Sequence, residues 1–236
     1  MSPQTPANLA GRARLSKDGV FTVGEATRFM APQYEGGFGF DQGLLIVPNF
    51  LTDADCAVLS EPLTDFYAHL RAPAADPFWD RRVVYRNHLL ADGQSWRPAT
   101  ELMLAHDRRV RNLIRQTFLL DHQVYSDGSH LVRWPDGAWM PPHADHANPD
   151  GSPHGMAHRE FAAVAYLNDD YAGGAIYFTA LDLVLKPSAG TLVAYPADWL
   201  HEHAVLISRG AERLTLPSFY TSDPTKAERA LYPELP

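Results

Sequence analysis

The sequence predicts a mainly β domain, a sandwich or a barrel, with flanking helices on its N-terminal side. Between Val124 and Tyr220 the chain contains short apolar or alternating runs, separated by Gly, Pro, Asp and Asn: HLVRW, FAAVAYL, AIYFTA, LVLKP, GTLVAYP, HAVLI and RLTLPSFY. Such punctuated runs are typical of short strands joined by turns. Before Val124 two segments have apolar residues at helical spacing instead, and no internal repeat is visible.

The chain is expected to begin without regular structure. Residues 1–41 are rich in Gly, Pro, Ser and Ala and have no sustained periodicity, so we predict an irregular lead-in. The run LLIV at 44–47 is predicted to be a buried strand. We place the folded domain at 42–222 and interpret 223–236 as a C-terminal tail.

Two helices are predicted ahead of the strands. Thr52 and Asp55 have capping-box spacing, which marks the start of a helix, and apolar residues then recur at helical spacing as far as Phe66. Between about 98 and 120 a longer apolar stripe alternates with arginines and predicts an amphipathic helix. The single cysteine, Cys56, lies in the first helix and is interpreted as a buried, unreactive thiol.

Composition disfavours several classes of partner. The chain has 28 acidic and 20 basic residues and a formal net charge of -8, which repels nucleic acid and anionic membranes. One cysteine excludes an internal disulfide and suggests a reducing compartment. The N-terminus has no run suited to a signal peptide, and no stretch approaches the roughly 20 apolar residues of a membrane span. We therefore expect a soluble, cytoplasmic protein.

The strongest cluster of chemistry-bearing residues is MPPHADHANPDGSPHGMAH, which includes His143 and Asp145. In an extended strand, residues two apart point to the same face, so this imidazole and carboxylate would lie side by side. A histidine from a neighbouring strand would complete an open site of two histidines and one carboxylate, which suits Fe(II) enzymes that bind a co-substrate and O₂. His146, His154 and His158 follow in a polar loop, and we interpret them as surface or lid residues.

The segment DWLHEHAV offers two histidines for the third position, His201 and His203. The two would share one face of an extended segment, so periodicity does not distinguish them. Downstream, in ERLTLPSFY, alternation puts Arg213 and Thr215 on one face and the adjacent leucines on the other. A buried arginine requires an anionic partner, and its planar fork matches a carboxylate. That partner is either a carboxylate co-substrate or a structural acid, such as Glu202, Glu212 or another carboxylate.

Taken in order, these segments resemble the Fe(II)/2-oxoglutarate-dependent dioxygenases, in particular the prolyl-4-hydroxylase-like branch. Four stretches carry the resemblance: LLIVPNFLTDADC, LVRWPDGAWMPPHAD, VAYLNDDYAGGAIYF and LKPSAGTLVAYP followed by HAVLISRGAER. They extend over about 44–221, most of the chain. The resemblance implies a double-stranded β-helix, the cupin-like jelly roll, which agrees with the strand pattern.

The resemblance also implies roles for individual residues. The iron ligands correspond to His143, Asp145 and a distal histidine. Arg213 follows His203 by ten positions and His201 by twelve. The shorter interval is usual in this branch, so His203 is favoured and His201 is the alternative. The residues implied to bind 2-oxoglutarate are Arg213, Tyr166 and Thr215. Those expected to shape the substrate pocket are Trp134, which stands where the branch often has a tyrosine, and Arg86 and Asn87.

The implied activity is hydroxylation of an unactivated C–H bond, with 2-oxoglutarate and O₂ converted to succinate and CO₂. Asp145 fills the coordination position that related halogenases leave for chloride, which favours hydroxylation. Ascorbate could stimulate turnover, the substrate could be an amino acid, a peptidyl residue or a small metabolite, and the protein could be a monomer or a homodimer. The alternative is a non-oxidative, metal-binding cupin-like protein, an isomerase or ligand-binding module, which would leave Arg213 and Tyr166 without a role.

Overall fold

The computed structural model describes residues 43–65, 77–91, 96–148, 150, 152, 154–229, 231, 232 and 235, together with four short strands that precede them. Those strands are β1 (Ala13–Leu15), β2 (Phe21–Val23), β3 (Arg28–Met30) and β4 (Gly39–Asp41). The prediction of an irregular lead-in is therefore wrong for these segments. β1 pairs with β2, whereas β3 and β4 are edge strands of the two main sheets, because a free strand edge accepts even a three-residue partner.

The described chain continues with twelve further strands and three helices. The strands are β5 (Leu44–Val47), β6 (Val83–Tyr85), β7 (Tyr125–Trp134), β8 (Met140–His143), β9 (Phe161–Tyr166), β10 (Tyr171–Gly173), β11 (Ile176–Phe178), β12 (Leu183–Leu185), β13 (Leu192–Pro196), β14 (His203–Val205), β15 (Ser208–Gly210) and β16 (Arg213–Thr221). The helices are α1 (Asp53–Asp65), α2 (Arg86–Ala91) and α3 (Arg97–Thr117). Every run that was predicted to be a strand forms one.

The strands form a jelly roll of two facing sheets, as predicted. The larger sheet has the order β4-β5-β13-β9-β16-β7-β6 and the smaller has the order β3-β12-β11-β14-β8. All the pairings are antiparallel except that between β3 and β12. A separate pair, β10 with β15, extends the structure beside the ends of the sheets.

The larger sheet packs against the smaller sheet on one face and against the helices on the other. Successive side chains of a strand point to opposite faces. In β9, Ala162 and Tyr166 therefore belong to the core between the sheets, whereas Ala163 and Ala165 belong to the core shared with α1 and α3. The same alternation in β16 sends Arg213 inward between the sheets and Leu216 outward to the helices.

The helices begin and pack as their sequences predict. The Asp55 amide donates to Thr52 Oγ1 at 3.1 Å and the Thr52 amide donates to Asp55 Oδ2 at 3.0 Å, so the capping box is confirmed. Cys56 is buried, and burial raises the pKa of its thiol, which keeps it protonated and unreactive. Phe66 lies outside the described residues. In the described part of the chain, no helix has the length and apolar character needed to cross a bilayer.

The predicted C-terminal tail is attached to the domain. Glu228 donates its amide to the carbonyl of Ser126 at 2.8 Å, and Ser126 donates its own amide to the Tyr232 hydroxyl at 3.0 Å. Both contacts are made to β7, so the described residues of the tail pack on the strand that forms one wall of the functional site.

Candidate metal centre and anion pocket

A cavity of about 680 Å³ lies between the two sheets. Strands β7, β9, β13 and β16 of the larger sheet and β8, β11 and β14 of the smaller sheet contribute to its walls. Its buried end contains His203, Tyr195 and Arg213, whereas Tyr85 and Met156 at its mouth are exposed. A cavity of this size and mixed polarity is typical of a site for small ligands.

Three metal-ligating side chains meet at the buried end of the cavity. β8 pairs with β14 so that His143 lies opposite His203, and their ring centroids are 4.4 Å apart. Asp145 Oδ1 lies 3.9 Å from His143 Nε2. One ligand atom from each of the three residues lies within 4.8 Å of the others. The fold therefore brings together residues that are 58 and 60 positions apart in the chain, counted from 145 and 143 to 203.

The backbone conformation that places Asp145 beside His143 differs from the one predicted. β8 ends at His143, and Asp145 lies in a tight turn that is closed by a bridge between Ala144 and Ala147. The expectation that His143 and Asp145 share one extended strand is therefore wrong. Turning the chain after His143 still brings the carboxylate beside the imidazole, because the turn folds back over the end of the strand.

Backbone carbonyls orient both imidazoles. His143 Nδ1 donates to the carbonyl of Pro141 at 3.0 Å, and His203 Nδ1 donates to the carbonyl of His201 at 3.1 Å. A carbonyl only accepts, so each Nδ1 carries a proton and Nε2 is the atom of each ring that could bind a metal. Burial lowers the pKa of His203 to about 4, with a smaller contribution from His143. His203 is therefore neutral at neutral pH, which is the form that binds metal.

The three side chains fit a divalent metal ion. Asp145 Oδ2 is buried and has no hydrogen-bond partner among the described residues, which is costly for a carboxylate unless a cation satisfies it. Two imidazoles and one carboxylate on one side of an ion are typical of Fe(II) sites that keep positions open. His146, His154 and His158 do not belong to this group, as expected.

His201 lies apart from the cluster, for a reason that the sequence pattern missed. Residues Trp199–His201 form a 3-10 turn, and the Asp198 side chain accepts hydrogen bonds from the His201 amide at 3.2 Å and from His201 Nδ1 at 2.7 Å. The segment is not extended, so the premise that His201 and His203 share a face is wrong. The His201 ring instead stacks on Tyr195, with centroids 6.2 Å apart.

Arg213 is a buried cation without a carboxylate partner in the described part of the chain. Its side chain is inside the cavity and only 2% of the residue is exposed. Its guanidinium carbon lies 5.1 Å from the centroid of the Tyr166 ring and 5.2 Å from that of Trp134. Its Nε is buried without a hydrogen bond to any described residue. Aromatic faces stabilise the charge only in part, so the site requires an anion.

The acids that could have paired with Arg213 are engaged elsewhere. Glu212 forms an ion pair with Arg133. Glu202 accepts a hydrogen bond from the Thr179 hydroxyl. Neither acid forms a salt bridge with Arg213 in the described structure, so the planar fork of Arg213 is available to a carboxylate ligand.

Two tyrosine hydroxyls lie beside Arg213. Tyr166 was expected here from the resemblance, and Tyr171 was not. Both hydroxyl oxygens are buried and make no hydrogen bond of good geometry with the described residues. Burial raises the pKa of both, that of Tyr171 to about 12, while the positive charge of Arg213 opposes the rise. Both phenols stay protonated, so they can donate to an anion held by Arg213.

Trp134 and Thr215 line the same part of the cavity. The Trp134 indole donates to Thr215 Oγ1 at 3.3 Å, so the threonine hydroxyl accepts from the tryptophan and keeps its own proton to donate. Pairing of β16 with β7 sets this contact, because Thr215 lies opposite Val132 and Arg213 lies opposite Trp134. The indole thus covers the strand that carries the arginine.

Arg86 and Asn87 both contribute to the cavity wall, but in different environments. Arg86 is 2% exposed and forms an ion pair with Glu228, and its Nη1 lies 3.7 Å from Asp107 Oδ2. Asn87 is exposed at the mouth. Of the two, only Asn87 is free of a buried ion-pair network, so Arg86 has a structural role that the sequence did not reveal.

Three residues of the site escaped the sequence analysis: Tyr171, Tyr195 and Arg159. Tyr195 lies two residues after Val193 in β13, on the same inward face, so strand parity could have found it. The Tyr195 hydroxyl lies 3.3 Å from His203 Nε2. Tyr171 follows a turn after β9 and Arg159 lies in the segment before it, so parity offered no signal for either.

Comparisons with known proteins agree with this geometry. Residues 129–221 match the sequence model of the 2OG-Fe(II) oxygenase superfamily. The chain is 26% identical over 218 residues to prolyl 3-hydroxylase 3 of Mus musculus, which covers 78% of this chain and 29% of that protein. The chain spans less than a third of the length of the curated relatives it matches.

Solved structures give the same fold. A prolyl-4-hydroxylase of Pseudomonas putida is 25% identical, with a TM-score of 0.55 over 76% of this chain and 92% of that one. A prolyl hydroxylase of Trichoplax adhaerens, solved with a peptide fragment of hypoxia inducible factor, has a TM-score of 0.57 at 18% identity and covers 80% and 86% of the two chains. The second likeness supports the jelly roll alone.

Proposed function

We propose that the chain is a member of the 2OG-Fe(II) oxygenase superfamily, in its prolyl-4-hydroxylase-like branch, and that it hydroxylates an unactivated C–H bond; the family match over 129–221 and the likeness to prolyl hydroxylases support this. In the proposed reaction 2-oxoglutarate and O₂ are consumed, one oxygen atom enters the substrate, and succinate and CO₂ are released. The substrate is an amino acid, a peptidyl residue or a small metabolite.

We assign the metal to His143, Asp145 and His203. Their convergence at the buried end of the cavity and the unsatisfied Asp145 Oδ2 support the assignment. Bound there, Fe(II) with 2-oxoglutarate would supply the oxidising power that amino-acid side chains lack. The three ligands would contribute two imidazoles and one carboxylate, and the carbonyls of Pro141 and His201 hold the imidazoles in a fixed orientation.

The observation that carries the proposal is the unpaired Arg213 in the same cavity as these ligands. Its fork would hold the distal carboxylate of 2-oxoglutarate, and the Tyr166 and Tyr171 hydroxyls would donate to the same group. Trp134 and the strands around it exclude water from this end of the cavity, which strengthens each of these hydrogen bonds. Thr215 lies beside them with a hydroxyl proton available.

The non-oxidative cupin-like alternative is not favoured. Such a protein would use the metal ligands but would leave a buried arginine and two buried phenols without partners. Burying an arginine without an anion costs stability. A protein is therefore expected to retain such an arginine only where a ligand supplies the negative charge. The environment of Arg213 therefore argues for a carboxylate co-substrate.

The proposal is tested by adding Fe(II), 2-oxoglutarate and ascorbate to the purified protein and following O₂ uptake and succinate formation. Slow turnover without a prime substrate is expected, with one succinate formed for each O₂ consumed. Asp145→Asn serves as the matched variant, because it keeps the side-chain volume and removes the ligand charge. Absence of succinate from the metal-loaded wild type, or equal rates in Asp145→Asn, would contradict the proposal.

A further inference from the structure

Arg159 is a second arginine on the wall of the cavity. It lies just before β9, where its amide donates to the carbonyl of Met156 at 3.0 Å. Its side chain is 19% exposed, so the guanidinium is partly shielded but reachable from the cavity. Arg159 has no part in the functions assigned above.

The guanidinium of Arg159 is held in one orientation by two contacts. Nε donates to Asp127 Oδ2 at 2.8 Å, and the guanidinium carbon lies 3.6 Å from the centroid of the Phe219 ring. Neither contact uses the two terminal nitrogens, which have no hydrogen-bond partner among the described residues. Those nitrogens form a planar fork that is already oriented for a carboxylate, and prior orientation reduces the entropy lost on binding.

The other charged groups of the cavity wall are already engaged. Asp127 is shared between Arg159 and His158, whose Nε2 lies 3.2 Å from Asp127 Oδ1. Arg86 is paired with acidic side chains, and Arg213 is assigned to 2-oxoglutarate. Among the described residues of the wall, the fork of Arg159 is therefore the cationic group that remains for a second anion.

The field of Arg159 extends into the cavity. His130 is a half-buried residue of the wall, and its ring stacks on Phe219 with centroids 5.9 Å apart. Burial lowers the pKa of His130 to about 4, and the charge of Arg159 is the next contribution in the same direction, whereas the carboxylates of Asp145 and Asp127 oppose it. An anion bound at Arg159 would lie on the same cavity wall that continues to His143, Asp145 and His203.

We propose that Arg159 binds a free carboxylate of the prime substrate, so the substrate is a small carboxylic acid such as a free amino acid, or the C-terminal residue of a peptide. An internal residue of a protein chain has an amide at that position and would leave the fork unpaired. This inference rests on the proposed function, because it assigns the remainder of the same cavity to the molecule that is hydroxylated.

The test compares acids with their amides. The probes are the free L-amino acids, their primary amides, and N-acetyl dipeptides that end in either an acid or an amide. Each is added under argon to the protein loaded with Fe(II) and 2-oxoglutarate, the rise in melting temperature is recorded, and the Kd of each stabilising probe is then measured. At least one free acid is expected to bind about 10- to 100-fold more tightly than its amide, as for a charge-assisted pair of hydrogen bonds. Preference for amino acids or for acid-ended dipeptides identifies the source of the carboxylate.

Two variants complete the experiment. Arg159→Gln should weaken the acid by about the same factor and leave the affinity of the amide unchanged. Arg133→Gln is the matched control, because Arg133 also pairs with a carboxylate and is similarly exposed, at 26%, but does not line the cavity. The inference is overturned if no acid binds, if amides bind as tightly as acids, or if Arg159→Gln binds the acid as the wild type does.

Failure of the proposed function gives a different result. If the protein binds acids in preference to amides but forms no succinate from 2-oxoglutarate, the carboxylate site stands and the oxygenase activity is wrong. If succinate forms but acids and amides bind alike, the oxygenase activity stands and the role of Arg159 is wrong.

Discussion

Arg86 and Arg213 are both 2% exposed and line the same cavity, yet their surroundings differ completely. Arg86 lies between Glu228 and Asp107, so its charge is compensated by the protein itself. Arg213 lies between two aromatic rings and two phenol hydroxyls, with no carboxylate partner in the described structure. Burial alone therefore does not identify a functional arginine.

What distinguishes the two arginines is the origin of the compensating anion. The Arg86 cluster is closed by a residue of the C-terminal segment, and burial raises the pKa of Asp107 to about 6 in spite of the neighbouring cation. Such a crowded, self-paired cluster holds the fold together. Arg213 has no such partner among the described residues, and we propose that a ligand supplies the compensating charge beside the proposed metal ligands.

The largest expected effect concerns the metal. His203→Ala should abolish Fe(II)-dependent turnover of 2-oxoglutarate, because it removes one of three ligand atoms from the cluster. His201→Ala should leave iron binding substantially intact, since that ring is bonded to Asp198 and stacked on Tyr195. Iron bound per chain, measured by elemental analysis, checks both. Loss of iron from His201→Ala with retention in His203→Ala would reverse the assignment.

The next largest effect is on the affinity for 2-oxoglutarate, which we expect to depend on Arg213. Arg213→Met should weaken 2-oxoglutarate binding by about 1,000-fold, because the distal carboxylate would lose a bidentate partner in a buried site. Calorimetric titration of the metal-loaded protein measures the change, and Arg133→Met, outside the cavity, is the control. An affinity within a few-fold of the wild type would mean that 2-oxoglutarate is held elsewhere.

The same substitution should have opposite effects on stability at the two sites. Arg86→Met leaves the buried Asp107 and the half-buried Glu228 without their cation and should lower the free energy of unfolding by about 3 kcal/mol. Arg213→Met removes an uncompensated charge and should raise the stability of the ligand-free protein by about 1 kcal/mol. Urea unfolding without 2-oxoglutarate gives both values. Losses of similar size at both sites would show that Arg213 is also structurally paired.

The smallest effect is a pH dependence in the core beside Arg86. Burial, and to a smaller extent the charge of Arg109, lowers the pKa of His106 from its ordinary 6.5 to about 3. The unfolded chain then binds more protons between these values, so stability is complete above pH 6.5 and declines by about 1.4 kcal/mol per unit as the pH falls. His106→Gln should flatten the plot of unfolding free energy against pH in this window. The exposed His122→Gln is the control, and identical slopes in both variants would refute the assignment.

Much of the fold was predictable from local patterns. The runs between Val124 and Tyr220 all form strands. They were predictable because apolar residues at every second position indicate a strand with one buried face. The capping box at Thr52 is a contact within three residues and was equally predictable. The strands before Gly43 were missed, since three-residue edge strands depend on partners distant in sequence such as β12 and β5.

The site was predictable in its members more than in its geometry. His143, Asp145, His203 and Arg213 could be selected by residue type, order and spacing. Their local conformations could not: Asp145 lies in a turn and His201 lies in a 3-10 turn capped by Asp198, so both parity arguments were wrong. Side-chain hydrogen bonds overrode the extended conformation in the second case.

The sequence by itself determined the jelly roll, the resemblance to the 2OG-Fe(II) oxygenases and the set of residues that could hold iron and a carboxylate, because these depend on periodicity and on the chemistry of each side chain. Only the tertiary structure decided which buried arginine is compensated and which is not. That difference depends on where Glu228, Asp107, Glu202 and Glu212 lie in space. Charge pairing acts over a few ångströms between residues that are far apart in the chain, so no local pattern records it.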